Sequence, residues 1–226
     1  MKADSVTYIG FVQDHSGSME RNKKLATDNF NEQIAKLLKE DDETMDNLVT
    51  IVEFDDQIHC NVDNMPINEI KTMKDWWTGG MTSLYDAIAF CINNIKEKIK
   101  NDSREDKAVL IIIQTDGAEN SSTDYTGEEG RISINKMIND LEETKIWSFV
   151  FLGENIDKQV AMDMGFKFSN IMSHKSGQDN VAKAYNVTSD GLDTYMKARK
   201  CGETQTMSFY SGNSGTGDNN NDNDNK

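Results

Sequence analysis

The run Val109-Leu110-Ile111-Ile112-Ile113 constrains this chain more than any other stretch. Branched aliphatic residues in unbroken succession leave neither face of a strand polar, so such a strand must be covered on both sides. Residues 107–115 are therefore expected to form an interior strand of a parallel sheet. Residues 6–12 and 146–152 read as further strands, 48–54 and 57–62 as a hairpin turned at Asp55-Asp56, and 168–172 as a last strand. Apolar residues at helical spacing mark 20–39 (Phe30, Ile34, Leu37, Leu38) and 84–100 (Leu84, Ile88, Ile92, Ile95, Ile99) as helices with one core-facing side. Helices are also expected over 132–144, over 155–164 with Gly165 as the stop, and over 179–200, where Gly191 interrupts the pattern. Residues 116–130 read as a polar loop. Strands that alternate with helices imply an α/β fold: a doubly wound, mostly parallel central sheet with one antiparallel edge strand and helices on both faces.

A chain of 226 residues has room for one such domain, expected over 1–210, without disulfide or zinc support. Residues 211–226 are almost entirely Gly, Ser, Asn and Asp and cannot bury enough surface to offset chain entropy, so they are expected to be a disordered acidic tail. The three cysteines, Cys60, Cys91 and Cys201, form no C-x-x-C pair, which leaves reduced thiols as the expectation. Net charge is −15. A surface this acidic repels phosphate backbones and anionic membranes, so no nucleic-acid or membrane partner is expected. There is no 18-residue apolar segment and no signal-like N-terminus, so the expected location is the cytoplasm.

The chemistry concentrates in three short segments. Asp14-His15-Ser16-Gly17-Ser18 follows the first expected strand and alternates three oxygen-bearing side chains. Gly79-Gly80-Met81-Thr82-Ser83 places a hydroxyl just before a helix. Thr115-Asp116-Gly117 places a carboxylate at the end of the buried strand, before a glycine turn. In an open α/β sheet, ligands gather at the carboxyl ends of strands, where all three segments would meet. Hydroxyls and carboxylates without nitrogen or sulfur suit a hard cation. The candidate ligands are Asp14, Ser16, Ser18, Thr82 and Asp116. Ser, Thr and Asp also cap helices, but caps account for each segment singly and not for their joint order. His15 is expected at the surface. Trp76 and Trp77 fit a partner contact and a core cover equally.

Taken together, Asp-x-Ser-Gly-Ser-Met, Gly-Gly-x-Thr-Ser-Leu-Tyr-Asp-Ala and Thr-Asp-Gly resemble the von Willebrand factor type A domain, over most of residues 5–175. The resemblance implies a metal-ion-dependent adhesion site. Ser16 and Ser18 would be direct hydroxyl ligands, and Asp14 would act mainly through water while fixing the loop. Thr82 and Asp116 would approach directly or through water, and the last position would be left for an acidic residue of a protein partner. Met81 is an extra residue relative to the common Gly-Gly-Thr form and puts the path of that loop in question. The segment 147–157 is similar to an uncharacterised bacterial and phage branch of the family, so host cytoplasm or virion is the expected location for a phage-encoded chain.

The function expected is a non-enzymatic, metal-dependent protein-binding module carrying Mg²⁺ or Mn²⁺, with Ca²⁺ also compatible. The alternative is a structural or assembly subunit of a phage particle or larger machine. A metal-assisted phosphohydrolase is a third reading, and it lacks a nucleophile or general base: the chain has no Walker A, Gly-x-Ser-x-Gly or His-x-x-x-His pattern, and His59 and His174 lie outside the three segments.

Overall fold

The aliphatic run forms β4 (Asp106–Thr115), flanked on both sides by parallel strands. The computed structural model describes residues 3–42 and 44–210; the expected tail, 211–226, lies outside them. In chain order the elements are β1 (Ser5–Asp14), α1 (Lys23–Glu40), β2 (Met45–Phe54), β3 (Ile58–Pro66), α2 (Leu84–Lys100) and β4. There follow α3 (Gly127–Glu142), β5 (Trp147–Glu154), α4 (Lys158–Asp163), β6 (Ile171–His174) and α5 (Gln178–Lys200).

The sheet order is β3-β2-β1-β4-β5-β6, with β3 antiparallel at one edge and every other pairing parallel. The chain moves outward from β1 to β3, returns to place β4 beside β1, and then moves outward the other way. The reversal opens a crevice between the carboxyl ends of β1 and β4, which is where such sheets bind ligands.

Side chains alternate between two cores. Val6, Tyr8 and Val12 of β1 and Val109, Ile111 and Ile113 of β4 face α2, α3 and α4. Ile9, Phe11, Leu110 and Ile112 face α1 and α5. Gly10 lets α2 approach β1: a Cβ there would meet Cys91 Sγ at 2.8 Å and Ile95 Cδ1 at 3.1 Å. Gly191 does not break α5. A Cβ at that position would sit 2.5 Å from the Phe209 ring, so the glycine makes room for the returning C-terminal segment.

The other departures from expectation are at element ends. α3 starts at Gly127 rather than 132, because Glu128 and Glu129 suit the first turn of a helix while Gly127 and Gly130 hide the apolar period. Residues 168–170 form a 3-10 turn, so the last strand is shifted to 171–174. Residues 17–21 form another such turn ahead of α1. All three cysteines are unpaired. Among the described residues no helix is long and apolar enough to cross a membrane.

Candidate metal centre

The crevice between β1 and β4 brings the three segments together. Asp14, the last residue of β1, is fully buried. Its Oδ1 accepts the Ser16 backbone N–H at 2.7 Å, and its Oδ2 accepts the Thr115 hydroxyl at 2.5 Å. The first bond turns the chain so that Ser16 and Ser18 project the same way, their Oγ atoms 3.0 Å apart. Ser18 donates in turn to Asp116 Oδ1 at 2.5 Å, which links β1's loop to β4's loop. Ser16 makes no side-chain cap bond to the turn that follows it, and Ser18 donates to Asp116 instead, so helix capping does not explain these two hydroxyls.

The Thr82 loop is tied in through its backbone. Gly17 N–H donates to Gly80 O, Gly79 N–H to His15 O and Ser83 N–H to Asp55 O. Gly80 has a φ of +60°, and a Cβ there would fall 2.1 Å from Asp56 Oδ1, so glycine is needed for the turn. The extra residue Met81 points outward and is exposed, while Thr82 stays buried. Thr82 and Ser18 face one another across Gly117: a Cβ on that glycine would lie 3.2 Å from Thr82 Oγ1 and 3.7 Å from Ser18 Oγ. The bare glycine thus leaves a small cradle ringed by oxygen.

Two carboxylates outside the cradle order the loop after β4. Glu119 accepts the N–H groups of Tyr85, Ser121 and Ser122, capping α2 from a distant segment. Asp86 accepts the N–H groups of Thr123 and Tyr125. Asn120 Oδ1 receives the Thr82 N–H at 2.9 Å, which couples this loop to the hydroxyl segment.

All five expected ligands therefore line one place. The sequence reading missed Glu154 and Arg21. Glu154 ends β5, beside β4, and is buried; its Oε2 accepts from Asn22 Nδ2 at 2.6 Å. Arg21 Nη2 lies 3.0 Å from Glu154 Oε1 and 3.3 Å from Asp116 Oδ2. The strand-end rule that selected Asp116 also points to Glu154. His15 is not at the surface: it is fully buried, stacked on Trp76 at 4.3 Å, with Nδ1 2.8 Å from Trp77 O. Burial lowers its pKa to about 4, so the ring is neutral. Its aromatic neighbours, absent from the motif itself, supply the pocket. Trp76 is buried and donates to Asp14 O at 3.1 Å, so it belongs to the core beneath the site.

The donors fit a hard cation: two carboxylates and three hydroxyls, all oxygen. Among the described residues no three His, Cys, Asp or Glu side chains gather as a metal cluster, so a cation here would depend on the hydroxyls. Burial raises the Asp14 carboxyl from 3.8 to about 6, against the pull of its bonds from Ser16 and Thr115. Burial also raises Asp116. A raised acid binds its proton more tightly folded than unfolded. Stability should thus fall as pH climbs from about 4 to about 6, by roughly 3 kcal/mol once Asp14 is fully ionised. In chelator, thermal melts should show a lower midpoint at pH 7 than at pH 5, and Asp14→Asn should remove most of the difference.

The family model for the von Willebrand factor type A domain matches residues 9–183, which is most of the chain. The chain belongs to the von Willebrand factor type A domain family. Such VWA domains typically serve as adhesion or protein-binding modules, often with a metal-ion-dependent adhesion site (MIDAS). Solved structures share the VWA fold at low identity. Proximal thread matrix protein 1 from the mussel byssus, solved with a zinc-occupied MIDAS motif, is 15% identical with a TM-score of 0.57. The match covers 87% of this chain and 47% of the mussel protein, so the chain spans about half the length of that relative. The pilus adhesin SpaC from Lactobacillus rhamnosus GG is 11% identical with a TM-score of 0.61, covering 85% of this chain and 30% of SpaC. The VWA domain of the pilus tip protein Mfa5 from Porphyromonas gingivalis is 9% identical with a TM-score of 0.53, covering 89% and 97%. No curated protein sequence matches the chain.

Proposed function

We propose that this VWA domain is a non-catalytic, metal-dependent binding module that captures a carboxylate of a protein partner. One observation carries the reading: Ser16, Ser18 and Asp116, from two loops far apart in sequence, stand in a continuous chain of 3.0 and 2.5 Å contacts above buried Asp14. Bound there, Mg²⁺ or Mn²⁺ would supply an electrophilic centre with a position open to an incoming carboxylate. Ca²⁺ remains compatible with the oxygen donors, and the zinc found in the mussel protein's MIDAS makes Zn²⁺ worth including in any metal panel.

The chain's own residues divide the work. Ser16, Ser18 and Thr82 present neutral oxygens, which leave more net positive charge on the cation than carboxylates would. Asp14 is engaged by Ser16 N–H and Thr115, so it acts through water and holds the loop. Asp116 balances charge from the β4 side. Arg21, half-exposed beside Asp116, offers an arriving carboxylate a second cation.

The test is affinity capture from the source cell with Mg²⁺ or with chelator, using wild type and Ser16→Ala. Partner recovery should need the metal and should fall about tenfold or more in the variant, with the melting temperature unchanged. Equal recovery in chelator, or by the variant, would refute the reading.

A further inference from the structure

A cavity of about 370 Å³ opens directly beside the candidate metal centre, between the ends of β4 and β5 and the start of α4. Asp116 and Gly117 form its near wall, so whatever sits on the metal centre borders it. Its floor is apolar, with Leu84, Phe151 and Met164 all buried. Its polar lining is acidic: Asp116, Glu119, Glu154 and Asp157 contribute to it, and among the described residues no Lys, Arg or His does. Glu154 is 2% exposed, and among the described residues its Oε1 has no hydrogen bond but an ion pair with Arg21 at 3.0 Å. Arg21 is the cation that pairs with Asp116 and Glu154 at the shared wall. Lys158 of α4 turns away onto the Phe168 ring, 4.6 Å from its centroid. Among the described residues, the guanidinium of Arg21 pairs with two of these four carboxylates, Asp116 and Glu154, while Glu119 is held by the Tyr85, Ser121 and Ser122 N–H groups.

We propose that this cavity is a second subsite of the binding face and takes a lysine or arginine side chain of the partner, close in sequence to the carboxylate at the metal. The inference rests on the proposed function for the placement of that carboxylate. A purely apolar side chain would satisfy the floor but strip water from exposed Asp157 and add no positive charge beside the buried carboxylates Asp116 and Glu154. A small hydrated cation would satisfy the acidic lining but leave the floor wet. An aliphatic stem ending in a cationic head meets both. The same arrangement discriminates against acidic neighbours in the partner, which the acidic lining repels.

The test uses the full chain in Mg²⁺ and two synthetic peptides, acetyl-Glu-Gly-Arg-amide and its norleucine counterpart, each titrated to about 10 mM. Methyl NMR signals of Leu84, Ile156 and Val160 report the cavity, and backbone amides of Ser16 and Ser18 report the metal loop. The arginine peptide should shift both sets and bind about tenfold more tightly than the norleucine peptide. The advantage should shrink in Asp157→Asn, which keeps the helix cap that Asp157 supplies to Gln159 N–H. Equal binding by the norleucine peptide, arginine-peptide shifts confined to the metal loop, or no shift from either peptide would each overturn the proposal. Calorimetry with Mg²⁺ alone separates the two readings. Cavity shifts from the arginine peptide without Mg²⁺ uptake would support the cation subsite while the metal reading fails.

Discussion

Asp14→Asn is expected to abolish the response to divalent cations while leaving the fold more stable in chelator. The two halves of this result have one cause. Asp14 is fully buried and its carboxyl is pushed up to about 6, so at pH 7 the folded chain carries a charge it would shed if it could. A cation repays that cost; the neutral amide avoids it. The amide also fits the existing bonds. Its oxygen takes the place of Oδ1 toward Ser16 N–H, and its NH₂ can donate to Thr115 Oγ1. Thr115 then turns its proton to Gly117 O, already 2.9 Å away. Calorimetry should show Mg²⁺ affinity reduced by about 100-fold or more. Melts in chelator at pH 7 should show the variant gaining up to about 3 kcal/mol over wild type. Retained Mg²⁺ affinity, or a destabilised fold in chelator, would contradict this account of Asp14.

The largest loss of stability should come from the opposite pole of the sheet. Arg199, near the end of α5, is 2% exposed. Its guanidinium reaches Asp106 at the start of β4 at 2.6 Å, Thr7 Oγ1 at 3.2 Å and Val6 O at 3.4 Å. It fastens the last helix to the amino ends of the two central strands. Arg199→Met keeps much of the stem's packing but leaves Thr7 and Asp106 short of a partner. Removing one member of a buried pair costs about 3–5 kcal/mol. Asp106 is partly solvated, so the lower end applies, and the melting temperature should drop by roughly 6–12 °C. Mg²⁺ uptake measured below the melting point should be unchanged, because Arg199 touches none of the metal-loop residues. A variant that melts like wild type would show that the pair is energetically idle.

Much of the site was legible because its logic is local. Ser16 and Ser18 sit two residues apart in an irregular turn, and Asp116 follows a strand whose aliphatic run announces itself. Glu154 was only half legible. Its place at the end of a strand marks it as the same rule marks Asp116, but that it stands beside Asp116 comes from β5 pairing with β4, which no local pattern encodes. His15 fails for a related reason. A variable position in a polar motif reads as surface, yet Trp76 and Trp77 arrive from more than sixty residues later to enclose it. Gly191 looks like a helix breaker until Phe209 is seen against it.

Periodicity and strand-end chemistry, both properties of neighbouring residues, were enough to establish the α/β class and the parallel sheet with its antiparallel edge, and to single out five oxygen donors as candidates. Strand order belongs to the tertiary structure alone. It decides which loops share the crevice, gives Glu154 and Arg21 their place beside Asp116, and buries Asp14 deeply enough to raise its pKa. Those outcomes depend on distances and desolvation between segments remote in sequence, and such quantities exist only once the chain has packed.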